Sequence, residues 1–154
     1  MEAQTATDVQ MATEERTVSK PTRRPKIMIV DDDPALRQAL QLRLRANNYE
    51  IVSASDGHSA LALAQKEQPD LVLLDLGLPV CNGLTVLRYM REFQELRSIP
   101  VIVLTARDPQ ANEMRSLEAG AVAFFQKPAD NEELLSVVRI CLEAGRTFAG
   151  RKPS

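Results

Sequence analysis

The chain has 154 residues, 44% of them hydrophobic and 26% charged, with a formal net charge of -2. That size and balance predict one globular domain with a sizeable core, and they give no global reason to bind nucleic acid or an anionic membrane. No apolar run approaches the roughly 20 residues of a membrane span, no apolar signal core opens the chain, and Cys81 and Cys141 lack metal or disulfide-framework spacing, so a cytoplasmic protein is expected.

Residues 1–25 are rich in Thr, Glu, Gln and Ala and predict a flexible N-terminal tail, closing on the basic pair Arg23 and Arg24. Residues 26–144 predict the folded domain. Ile27-Met28-Ile29-Val30 reads as a buried strand that runs into Asp31-Asp32-Asp33-Pro34. Asp33 suits a helix cap and Pro34 the first helical position, with Leu36, Leu40 and Leu44 as the apolar stripe. The helix should fade at Asn47-Asn48. Tyr49 to Ala54 predicts the next strand, Asp56-Gly57 a break, and Leu61 and Leu63 a helix ending near Glu67.

Leu71-Val72-Leu73-Leu74 has too many consecutive apolar residues for a strand with one wet face, so it predicts a strand buried on both sides. Asp75 follows it directly, and Gly77 and Pro79 turn the chain away. Val80 to Gly83 reads as loop, and Leu84, Leu87 and Met90, with Phe93 beyond, as a helix. Val101 to Leu104 predicts another buried strand ending at Thr105. Asp108 and Pro109 open a helix closed by Gly120. Ala121 to Gln126 predicts the last strand, followed by Lys127-Pro128. Asp130 or Asn131 should cap a final helix that stops near Gly145, leaving a tail over 145–154.

Five strands alternating with five helices predict an α/β fold. It is a doubly wound, flavodoxin-like parallel sheet with strand order 2-1-3-4-5. That topology brings Asp31, Asp32, Asp75, Thr105 and Lys127 to the carboxyl edge of one sheet, where open α/β sheets bind ligands. Three carboxylates together repel and call for a cation, and an oxygen-only ligand set suits Mg²⁺. A carboxylate can also attack phosphorus, while an ammonium, a hydroxyl and a metal neutralise the phosphoryl oxygens.

Ile29 to Asp33, Leu73 to Pro79, Val103 to Ala106 and Lys127-Pro128 together resemble the receiver domain of bacterial two-component response regulators, over about residues 26–143. The resemblance implies a stand-alone, chemotaxis-regulator-like signalling module that catalyses only its own phosphorylation and dephosphorylation. Asp75 would accept a phosphoryl group from a histidine kinase or a histidine phosphotransfer protein. Asp32 would bind Mg²⁺ directly, Asp31 through water, and Gly77 through its carbonyl. Lys127 would pair with the phosphoryl oxygens. Thr105 and Phe124 would move together on activation and alter binding of an output partner. The Lys127-Pro128 bond is commonly cis in such proteins. Two positions depart from the pattern: Asn82 stands where Asp is usual, and Ala129 where Phe is frequent.

Three other readings of these residues are open. A haloacid-dehalogenase-like aspartyl phosphatase needs a second Asp two residues after the nucleophile, where this chain has Gly77. A receiver that binds partners without phosphorylation would not need all five polar residues. The chain could also be a fragment of a longer regulator. His58 and Cys81 read as surface residues, and Phe125 as core on the face opposite Phe124.

Overall fold

The computed structural model describes residues 23–150, with no side chain considered beyond Gly145. The elements are β1 (Lys26–Val30), α1 (Pro34–Ala46), β2 (Glu50–Ala54), α2 (Gly57–Glu67), β3 (Leu71–Leu74), α3 (Gly83–Glu92), β4 (Val101–Thr105), α4 (Pro109–Glu118), β5 (Ala123–Gln126) and α5 (Asn131–Gly150). All strands are parallel, in the order β2-β1-β3-β4-β5. The expected architecture and strand order are therefore observed. The tail expected over 1–25 falls mostly outside the described residues.

The central strands are buried because both faces are covered. Met28, Val30, Val72, Leu74, Val101 and Val103 pack against α2 and α3. Ile27, Ile29, Leu71, Leu73, Ile102 and Leu104 pack against α1 and α5. Each such side chain, removed from water, contributes about 1.5–3 kcal/mol before the entropy of ordering the chain is set against it. The alternation holds at the last strand, where Phe124 joins the first layer and Phe125 the second.

Several boundaries differ from the sequence expectation. Order begins before Lys26, because the Arg23 guanidinium donates to both Asp70 carboxylate oxygens at 3.1 and 3.2 Å. Phe93 does not extend the apolar stripe; it lies one residue past α3 and is exposed. Helix α5 continues through Gly145 to Gly150, so the tail expected from residue 145 is helical for six residues. An exposed glycine costs a helix only about 1 kcal/mol relative to alanine, and Gly145 has no neighbour within 4 Å to force a turn.

Candidate functional site

Asp31 follows β1 and Asp75 follows β3, and their backbones continue the sheet ladder: Asp31 N–H donates to the Ala54 carbonyl and Asp75 N–H to the Val30 carbonyl. Both carboxylates are buried, whereas Asp32 is exposed. One oxygen from each of the three lies within 4.8 Å of the others. Asp33 is outside this group. It caps α1, accepting from Ala35 N–H at 3.0 Å and Leu36 N–H at 3.4 Å. The cap frees the preceding two carboxylates to face the pocket.

Lys127 enters from the far side of the sheet. Its Nζ lies 2.8 Å from Asp31 Oδ2 and 3.4 Å from Asp75 Oδ2. Its backbone N–H donates to the Thr105 carbonyl, which ties the end of β5 to β4. Partial burial opposes the ammonium charge. The hydrogen bond to Asp31 and the charges of Asp75 and Asp31 outweigh it and hold the pKa above its ordinary 10.5. Three carboxylates against one ammonium leave two negative charges uncompensated, the charge of one divalent ion. The donors are all hard oxygens, and their span is close to the roughly 4 Å across an octahedral Mg²⁺ shell. The residues therefore fit such an ion.

Thr105 is fully buried, and its Oγ1 accepts from the Arg107 N–H at 3.3 Å, leaving its own O–H free to donate. β5 pairs Phe124 with Val103 and Gln126 with Thr105, so Phe124 stands diagonal to Thr105 on one sheet face. Phe124 is half-buried here. Gly77 N–H donates to Asp75 Oδ1 at 3.2 Å, fixing the acidic side chain from its own loop. The Lys127-Pro128 bond is cis.

The sequence profile described as "Response regulator receiver domain" matches residues 27–139. The chain belongs to that family. Receiver domains are signalling modules of two-component systems, and the relatives agree. The dual master transcriptional regulator RpaA of Synechocystis is 39% identical over 118 residues, 77% of this chain and 49% of its own length. The response regulator PleD of Caulobacter vibrioides is 40% identical over 114 residues, 74% of this chain and 25% of its own. The chain thus spans half or less of these curated relatives. Among solved structures, a response regulator from Chloroflexus aurantiacus is 31% identical with a TM-score of 0.75, covering 79% of this chain and 99% of its own. The receiver domain of sensor histidine kinase PA1611 from Pseudomonas aeruginosa, described with a magnesium ion coordinated in the active site cleft, is 28% identical with a TM-score of 0.73, at 79% and 99% coverage.

The receiver pocket contains features that the sequence reading missed. Asn82 is not a tight-turn residue: its backbone is extended and its side chain caps α3 by accepting from Thr85 N–H at 3.0 Å. The left-handed conformation in this loop falls on Val80 instead, at φ 69. Gly83 is required by packing, since a Cβ there would collide with the Asp75 carbonyl. Arg37 donates to the Asp31 carbonyl at 2.7 Å. Its only sequence signal was a polar position on the inner side of a helix. The Arg107 guanidinium lies over Gly77, 3.5 Å from where a Cβ would stand.

Proposed function

We propose that this receiver accepts a phosphoryl group on Asp75 and thereby changes which partner it binds. The observation that carries the reading is the Lys127 ammonium shared between Asp31 and Asp75. It supplies a cation beside a buried carboxylate that, among the described residues, forms no other ion pair. The donor is a phosphohistidine on a kinase or phosphotransfer protein. An Asp75 oxygen forms the new O–P bond as the P–N bond breaks, and the imidazole departs with the electron pair. Lys127 orients the phosphoryl oxygens, and the free Thr105 O–H donates to one of them.

Asp32 would hold Mg²⁺ directly and Asp31 through water, with Asp75 and the Gly77 carbonyl as the remaining protein ligands. Such an ion would supply positive charge beside the transferred oxygens. Drawing Thr105 toward Asp75 opens space for Phe124 to turn inward. The output surface is then α4, β5 and the start of α5, where Met114 and Leu117 of α4 and Val122, just before β5, are 64%, 41% and 51% exposed. The chain's two free cysteines suit a cytoplasmic setting.

Incubation with Mg²⁺ and acetyl phosphate should add one phosphoryl mass, labile in base, on the peptide that contains Asp75. Asp75→Asn should remove it. Undiminished labelling of that variant would overturn the assignment.

A further inference from the structure

A second polar recess lies outside the acidic pocket, on the outer edge of the sheet. Arg37 of α1, Ser53 and Ala54 of β2, Ser55, and Ser59 and Leu63 of α2 line an open groove of about 300 Å³, against roughly 30 Å³ for a water molecule. β2 is the edge strand, paired only with β1. Glu50 N–H reaches the Pro25 carbonyl and the Ala54 carbonyl receives Asp31 N–H, so residues 50, 52 and 54 turn their backbone groups toward β1. Alternation in a parallel ladder then turns the Ser53 N–H outward, into the groove.

The groove offers donors rather than acceptors. Arg37 is half-buried and carries five N–H groups, of which one is engaged, on the Asp31 carbonyl. Among the described residues no carboxylate forms an ion pair with it. Ser53 Oγ accepts from Gln41 Nε2 at 3.3 Å, so its own O–H is free to donate. Ser55 is exposed, and its O–H has no partner among the described residues. The nearby carboxylate, Asp56, is turned onto Ser59, accepting from its N–H at 2.7 Å and its O–H at 3.1 Å. Asp56 therefore caps α2 and does not compensate Arg37.

We propose that this groove is an oxyanion site separate from the phosphoacceptor pocket, taking phosphate or the phosphate group of a small phosphomonoester. Arg37 supplies the counter-charge through its unused N–H groups, and Ser53 and Ser55 supply neutral donors. A guanidinium with free donors in a fork matches tetrahedral oxyanions better than any neutral lining. The Arg37–Asp31 bond places the site beside the acidic pocket.

The test is titration of the Mg²⁺-free protein with inorganic phosphate, and separately with ribose 5-phosphate, followed by amide NMR at constant ionic strength in chloride. Saturable shifts at Ser53, Ser55 and Ser59 are expected from at least one of the two, and the stronger identifies the natural class. Arg37→Gln should weaken binding roughly tenfold or more, the loss expected of a hydrogen bond to a charged group. Ser55→Ala, at an exposed position, should weaken it by a smaller factor with the fold intact. Shifts that chloride reproduces, shifts centred on Asp75 and Lys127, or an affinity unchanged in both variants would overturn the proposal. The same holds if only a strand-forming peptide occupies the β2 edge.

Discussion

The two edges of the sheet treat charge in opposite ways. At the amino edge, two ion pairs and a guanidinium bound to backbone carbonyls tie loops together. Lys26 Nζ lies 2.8 Å from Glu67 Oε1. Asp70 holds the Arg23 guanidinium and also accepts the Lys26 N–H at 2.7 Å. Arg91 donates to the carbonyls of Arg97 at 2.7 Å and Ile99 at 3.1 Å, closing the turn before β4. At the carboxyl edge, three carboxylates cluster and one ammonium pairs with two of them. The fold places like charges together there because β1 and β3 are neighbours and both end in Asp. The amino edge ties loops together, whereas the carboxyl edge concentrates negative charge, the feature on which the proposed cation and phosphoryl site rests.

That contrast can be broken by mutation. The largest effect is expected for Lys127→Met in Mg²⁺-free buffer. Removing the ammonium paired with Asp31 and Asp75 should cost about 2–3 kcal/mol in urea unfolding, below the full range for a buried pair because the lysine is partly exposed. At the amino edge, Asp70→Ala should cost about 1–2 kcal/mol, since it releases Arg23 and leaves the Lys26 N–H unpaired. Asp32→Ala should have the opposite sign and stabilise the Mg²⁺-free protein by up to about 1 kcal/mol, because it relieves repulsion in the cluster. The same variant should lose most of its Mg²⁺ affinity. A destabilised Asp32→Ala protein would show that the carboxyl edge is balanced after all.

The smallest effects are at the extremes of pH, and they separate the edges again. The hydrogen bond and charge of Lys26 lower the Glu67 pKa below its ordinary 4.5. Its contribution is present above pH 4.5 and is lost as pH falls through the lowered value. The Lys127 pKa is raised above 10.5, so its contribution is full below pH 10.5 and is lost as pH rises through the raised value. Thermal melts should show Glu67→Gln flattening only the acid limb and Lys127→Met only the alkaline one.

The sequence revealed most of the carboxyl edge because each of its residues follows a strand with a strong signal. The run Leu71 to Leu74 located Asp75, and Val101 to Leu104 located Thr105. Topology then converted four separate strand ends into one pocket. What it concealed depends on contacts between distant segments. Nothing near Gly83 in the chain announces that the Asp75 backbone lies against it. Arg37 looked like any polar position on a helix until Asp31 was found beside it. The end of α5 differs because a lone glycine was treated as a stop, although a helix tolerates one at an exposed position where nothing lies within 4 Å.

The most direct test of the central claim is amide NMR of the wild-type protein and Asp75→Asn with Mg²⁺ and beryllofluoride, a mimic of the phosphoryl group. Shifts are expected in the wild type at Asp31, Asp32, Asp75, Thr105 and Lys127, extending through Phe124 to α4 and the start of α5, and absent in the variant. Equal shifts in the variant would contradict Asp75 as acceptor. Wild-type shifts that stop at the pocket would contradict the path to the output surface.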